Sequence, residues 1–287
     1  MLQAPTPGGG NALAGEQAGV QETMGLDFVT SMALGGGVIL GMTTLLWLIS
    51  LWQRDASIID SFWGAGFVIV YWIYFALTPD GAGPRQWLLG ILVTTWGLRL
   101  SLHILLRNWG QGEDFRYRAW RDEAGAAWWW RSLFKVFWLQ GALLWIISAP
   151  LLAAQIGPAP ASLSWLDWLA ALLWAIGFIF EAGGDWQLRR FKATPGHRGQ
   201  VLSSGFWRYT RHPNYFGDAL QWWAFYLVAL AAGGWATVFS PLLMTFLLVR
   251  VSGVAMLERS LRPAKPDYAD YMARTNAFFP WFPRQPR

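Results

Sequence analysis

Three observations predict an all-α fold, a polytopic bundle of membrane helices. Of 287 residues, 54% are hydrophobic and 14% charged, whereas soluble domains carry roughly 25% charged residues. Seven apolar stretches are long enough to cross about 30 Å of hydrocarbon. The chain holds 22 Trp, a residue that favours the membrane–water interface. It holds no Cys, which excludes disulfides, thiolate metal sites, iron–sulfur clusters and a Cys nucleophile. The three His, at 103, 197 and 212, have no metal-ligand spacing, so no metal site is expected.

In chain order, residues 1–27 are rich in Gly, Ala and Gln and lack any basic residue. They read as a disordered tail, and a signal peptide would need a positive n-region. Residues 28–287 read as one membrane domain. Its spans are placed at Met32–Trp52, Ile58–Leu77, Trp87–Leu106, Ser132–Ala153, Trp165–Ala182, Tyr215–Ala232 and Trp235–Leu257. Gly35, Gly36, Gly37 and Gly41 follow no strand and sit in a span, so they predict close helix packing rather than a nucleotide loop. The Trp128–Trp130 triplet and the run from Phe278 to Phe282 suit the interface.

Lys and Arg set the orientation. The tail and the fourth-to-fifth and sixth-to-seventh connections have none, and the second-to-third has Arg85 alone. Almost all others lie in the third-to-fourth loop, the fifth-to-sixth loop and the C-terminal tail. The positive-inside rule puts those in the cytoplasm, with the N-terminus outside. A bacterial inner membrane fits this pattern. The net charge of +5 is then a topology signal, and no nucleic-acid motif accompanies it.

Polar residues recur at helical spacing inside four spans. The sixth carries Arg211, Asn214, Asp218 and Gln221, with Pro213 suited to a first helical turn. Free N–H groups beside Arg208, Arg211 and His212 suit an anion. Asp218 lies more than a turn inside an apolar helix and needs an internal partner. The fifth carries Glu181, Asp185, Arg189 and Lys192. These either pair among themselves or hold a ligand, since carboxylates suit ribose hydroxyls or amides and cations suit phosphates. The third carries Trp96, Arg99, His103 and Arg107. Arg99 lies about 12 Å from the cytoplasmic helix end, so it must face the interior or pair. The second carries Asp60, Trp63, Gly64, Phe67, Tyr71 and Tyr74 on one side, either packing or the wall of a flat apolar cavity. Asp60 either pairs with Arg99 or Arg54 or donates a proton.

The segment Thr210–Asp218, TRHPNYFGD, resembles the RHPxYxGD signature of membrane sterol reductases. A shorter RHPxYxG also occurs in isoprenylcysteine carboxyl methyltransferases. The run from Asp185 to Lys192, followed by Pro195-Gly196, resembles the segment preceding that signature in steroid 5α-reductases. Glu258 to Tyr268, Tyr271 and Phe279-Pro280 resemble the shared C-terminal ending. The resemblance covers about Trp165–Pro283 and implies a membrane reductase with a cytoplasmic dinucleotide site. By motif position it implies Glu181, Asp185, Arg189, Lys192, Tyr209, Arg211, His212, Asn214, Asp218, Glu258 and Tyr268 as cofactor-binding, with Arg99 and Arg107 contributing from the third span. One departure concerns the substrate end. Steroid 5α-reductases place a Gln-Glu pair on the second helix and a Tyr on the third. This chain offers Asp60-Ser61 and Trp96 there. Asp60, Tyr71 and His103 remain as proton-donor candidates.

The first expectation is an NADPH-dependent reductase of an activated carbon–carbon double bond in a lipophilic substrate. The alternative is an S-adenosylmethionine-dependent lipid or prenyl-protein methyltransferase, since the motif core is shared. A non-enzymatic membrane scaffold would not need the charged stripes. The partners expected are a lipophilic small molecule and membrane lipids, with no nucleic acid.

Overall fold

The computed structural model describes residues 27–78, 83–157, 162–197, 199–251 and 253–284. Residues 1–26 of the tail expected over 1–27 and the cation Arg198 lie outside the described residues. Among those described, helix is the only regular structure and there is no strand.

Helix α1 spans Phe28–Gln53. A single turn, α2 (Ile58–Ser61), is separated at Phe62 from α3 (Trp63–Leu77). Helix α4 spans Pro84–Asn108 and opens on Pro84, with the Gln86 side chain accepting from the Gly83 N–H at 2.7 Å. Both devices suit a helix start. Helix α5 (Phe115–Ala124) begins with Asp114 accepting from the Arg116 N–H. Then α6 (Trp128–Ser132), a π-helical stretch (Leu133–Trp138), α7 (Leu139–Ile147) and α8 (Ala149–Ile156) follow almost without a break. Helix α9 runs from Trp165 to Ala193, well past the expected end at Ala182, so the whole Glu181–Lys192 stripe shares one helix. Helix α10 spans Pro213–Ala231, and α11 (Phe239–Phe246) passes into a π-helical stretch, Leu247–Val251. Two tail helices follow, α12 (Val254–Ala264) and α13 (Tyr268–Arg274).

All seven predicted spans are helical in their main part. Among the described residues, five helical runs are long and apolar enough to cross a membrane: Phe28–Gln53, Pro84–Asn108, Phe115–Ile156, Trp165–Ala193 and Trp235–Arg259. The chain is thus built as a multi-pass membrane protein. Helix α3 is apolar but only 15 residues, about 22 Å at 1.5 Å per residue. Asn214, Asp218 and Gln221 interrupt the apolar character of α10.

Two glycine contacts set the packing. Helices α3 and α4 meet at Gly64 and Gly97, where a β-carbon on Gly64 would sit 2.1 Å from the Gly97 carbonyl oxygen. Helices α9 and α10 meet at Gly177 and Gly217. A β-carbon on Gly217 would lie 2.3 Å from the Gly177 oxygen and 2.5 Å from the Glu181 nitrogen. Small residues let helix backbones approach in this way. Gly217→Ala should therefore lower stability by about 1–3 kcal/mol, the usual cost of overpacking. Gly37, with nothing within 4 Å of an added β-carbon, supplies the control: Gly37→Ala should leave the thermal midpoint of the detergent-solubilised protein unchanged.

The core is aromatic. Phe67, Trp96, Trp222 and Phe225 are fully buried and meet edge to face, with Phe67 and Trp222 centroids 4.5 Å apart. Of the two readings of the second span's aromatic face, packing and cavity wall, the structure shows packing: Phe67, Tyr71 and Tyr74 are fully buried in the core. Gly64 abuts Gly97, and the Tyr74 ring fills the space beside Gly35. Gly35 and Gly36 pack closely as expected, whereas Gly41 faces open space. Arg85, the one basic residue expected away from the cytoplasmic loops, forms a buried bidentate pair with Asp167 at 2.7 and 2.8 Å. Its role is structural.

Candidate functional site

The Gly177–Gly217 approach brings the carboxylates of α9 against the polar stripe of α10, and α4 supplies the cation. Arg99 donates from Nη1 to Asp185 Oδ2 at 2.7 Å, and its Nη2 lies 2.8 Å from Glu181 Oε1. The second contact is an ion pair off the N–H axis, because Nη2 and Nε make no aligned hydrogen bond. His103, one turn further along α4, places Nε2 3.5 Å from the same Asp185 oxygen. From α10, Asn214 donates to Asp185 Oδ1 at 3.1 Å and Gln221 donates to Glu181 Oε2 at 2.6 Å. Asp218 lies within electrostatic reach of Arg99, Glu181 and Asp185. Three carboxylates thus share one guanidinium, with one His beside it.

The sequence left open whether Glu181 and Asp185 pair with Arg189 on their own helix. They pair with Arg99 of α4 instead, and Arg189 and Lys192 stay exposed beyond the knot. Several buried polar atoms of this knot lack partners: Arg99 Nε, Asn214 Oδ1, Asp218 Oδ1 and Gln221 Oε1. Trp96 and Trp222, at the floor, each bury an unpartnered indole N–H. Buried polar groups in folded proteins are almost always satisfied. Such a concentration of exceptions fits a polar ligand with hydroxyl, amide and carbonyl groups.

Cations gather above the knot. Arg107 lies within electrostatic reach of Asp60, His103, Lys192 and Tyr215, and Arg189 within reach of His103. Lys265 comes near Lys192 and donates to the Gln200 carbonyl at 2.5 Å.

The motif residues divide into two groups. Asn214 and Asp218 belong to the knot. Arg211 does not: its guanidinium meets Glu258 at 2.7 Å and donates to the carbonyls of Met272 and Thr275. His212 lies 3.3 Å from Glu258 and stacks on Tyr215. Tyr268 packs edge-on against Tyr271, whose hydroxyl donates to the Trp207 carbonyl. Tyr209 accepts from the Trp281 N–H at 2.9 Å and packs on Phe282. Arg211, His212, Glu258, Tyr268 and Tyr209 therefore clasp the C-terminal segment over the start of α10. Of the eleven positions that the motif resemblance implies for a cofactor, these five lie in the clasp and not in the knot.

The proton-donor candidates are also sorted by position. The Tyr71 hydroxyl donates to the Gln86 carbonyl, toward the opposite end of the bundle from Arg107. Asp60 pairs neither with Arg99 nor with Arg54. Arg116 donates to Asp60 Oδ2 at 2.8 Å, and the Tyr117 hydroxyl donates to Oδ1 at 2.5 Å. Gln140 donates to the Tyr117 oxygen at 3.1 Å and accepts from the Trp63 indole. Asp114 steadies Arg116 from the other side. Burial acts to raise the Asp114 carboxyl, but hydrogen bonds from Arg116 outweigh it and hold the group below its usual range. Tyr117 was missed in the sequence, since a charged loop helix gives no sign of folding back onto the second span.

The chain is similar to a protein of Schizosaccharomyces pombe, "Uncharacterized protein C594.04c", at 25% identity over 283 residues, spanning 88% of this chain and 79% of that one. No solved structure matches it. A family model described as "Protein of unknown function (DUF1295)" matches residues 46–275, most of the chain including α4, α9 and α10, and the chain belongs to that family.

Proposed function

We propose that this protein is an NADPH-dependent membrane reductase of an activated carbon–carbon double bond in a lipophilic substrate, similar to steroid 5α-reductases. The observation that carries the reading is the Arg99–Glu181–Asp185–Asp218 knot, rich in unpartnered buried polar atoms and placed below Arg107, Arg189 and Lys192. Carboxylates and amides suit ribose hydroxyls and a carboxamide, and the cations above suit a pyrophosphate. NADPH would supply a hydride to the β-carbon of the alkene. The chain's own part is to orient the two reactants and deliver a proton, and the Asp60–Tyr117 pair is the best-supported source. His103, held against Asp185, is better placed to orient the knot.

One observation favours a second reading. The knot's carboxylates outnumber its guanidinium, and a negative pocket suits the sulfonium cation of S-adenosylmethionine. The cations above it favour the dinucleotide, because a sulfonium nucleoside has no phosphate to meet them. Membranes containing the protein, supplied with NADPH deuterated at the transferring carbon or with methyl-labelled S-adenosylmethionine, separate the two. Carbon-bound deuterium in a lipid supports the reductase, and a labelled methyl group supports the alternative.

Seven spans with the N-terminus outside and the C-terminus cytoplasmic complete the proposal, in a bacterial inner membrane. The support is the basic residues of α5, of the α9–α10 connection and of the tail. A reporter fused after Arg287 should read cytoplasmic and one at residue 20 external. An external C-terminus would remove the site from cytosolic NADPH.

Cofactor choice follows from the same cations. Arg189 and Lys192 are exposed beyond the knot, with Arg190 next to them in the chain and lying over Trp186, and the 2′-phosphate needs a charge-assisted contact. One such contact is worth about 1.5–3 kcal/mol, so NADPH should bind roughly tenfold or more tighter than NADH. Equal dissociation constants would count against these residues as the 2′-phosphate reader.

A further inference from the structure

A separate cavity of about 440 Å³ opens away from the charged knot, between α5 and the start of the following run. Trp120, Trp128, Trp130 and Phe134 form its apolar walls, and Arg131 and Lys135 supply two cations against Glu123. The Lys135 ammonium lies 4.6 Å from the centre of the Trp120 ring, and the Arg131 guanidinium 5.5 Å from that of Trp130. Cation–π contact holds both charges at the rim. Neither forms an ion pair among the described residues. Nearby Arg121 is already committed to Glu113 at 2.7 Å and lies over Trp128.

Chain connectivity puts this basin at the same end of the bundle as Arg107. Trp129, Trp130 and Phe134 project outward beside it, as aromatic residues do at the membrane–water boundary. We infer that the basin is a binding site for the phosphodiester headgroup of an anionic phospholipid. The net positive rim excludes a cationic head. The Trp walls match the glycerol region, and the exposed Trp130–Phe134 surface gives the acyl chains an apolar path along the helix. Basic pockets at the cytoplasmic face of membrane proteins recognise anionic lipids by this chemistry. The inference is independent of the reductase reading, since it shares no residue with the knot.

Native mass spectrometry of the full-length protein in detergent, titrated with phosphatidylglycerol or phosphatidylcholine, tests it. The parent should retain phosphatidylglycerol about tenfold or more tightly than phosphatidylcholine. The double variant Arg131→Ala/Lys135→Ala should lose that preference, and Lys135→Arg should keep it. Both side chains are exposed, so the fold should survive, and Lys135→Gln alone serves if the double variant aggregates. Equal retention of the two lipids by the parent, or an undiminished preference in the variants, would overturn the site. Inorganic phosphate at millimolar concentration should not displace the lipid. Displacement would assign the basin to a free phosphate and overturn the lipid assignment.

Discussion

Arg99→Met should destabilise the folded protein by about 3–5 kcal/mol and abolish any stabilisation by NADPH. Among the described residues, Arg99 is the one guanidinium in contact with Glu181 and Asp185. Both carboxylates are buried, and removing one member of a buried pair strands the other's charge at about this cost. Because such a loss reports on structure as well as binding, Asp218→Asn is the informative companion. Asp218 Oδ1 has no partner, and the carboxyl sits beside two others. Neutralising it relieves repulsion, so the apo protein should melt no lower than the parent while its NADPH-induced shift disappears. Thermal unfolding of both variants, with and without NADPH, checks the pair. A full NADPH shift in Asp218→Asn would make the stripe structural. Arg211→Ala is expected to behave differently: it should loosen the C-terminal clasp and lower the apo midpoint, because its guanidinium meets Glu258 and two tail carbonyls.

The second large effect is expected at Asp60 and Tyr117. Asp60→Asn and Tyr117→Phe should each leave NADPH binding intact and slow turnover by about 10²–10⁴, the contribution of a positioned general acid. Tyr117→Phe removes one hydroxyl and keeps the ring beside Trp120, so it tests the proton more cleanly. Asp60→Asn also frees Arg116, which retains Asp114 as a partner. The two effects should not add, since the groups share one proton. Single-turnover rates with labelled NADPH report the step. Near-normal rates in both variants would transfer the role to His103.

The helical architecture was legible because apolar runs of this length leave few alternatives, and Pro213 marks a helix start. The need of Arg99 for an interior partner was equally plain from its depth. Its identity was not, because Asp185 lies 86 positions away along the chain and a local pair with Arg189 had the right spacing. Helix α9 continues past the apolar span and turns Asp185 inward, which spacing alone cannot distinguish from turning it outward. Arg211 shows the same limit: its motif position gave no sign of its protein partner, Glu258, 47 positions on. The aromatic face of the second span looked able to line a cavity because composition does not report what fills the opposite side. Gly97, Trp96 and Trp222 fill it.

The central claim is that the knot and the cations above it hold a phosphorylated dinucleotide. Thermal unfolding of the purified full-length protein with NADPH, NADH or S-adenosylmethionine tests it most directly. A ligand at a hundredfold its dissociation constant stabilises by about 2.7 kcal/mol, roughly 5 °C or more for a chain of this size. The account predicts that shift with NADPH, a smaller one with NADH at the same concentration and none with S-adenosylmethionine. A shift with S-adenosylmethionine alone would contradict it.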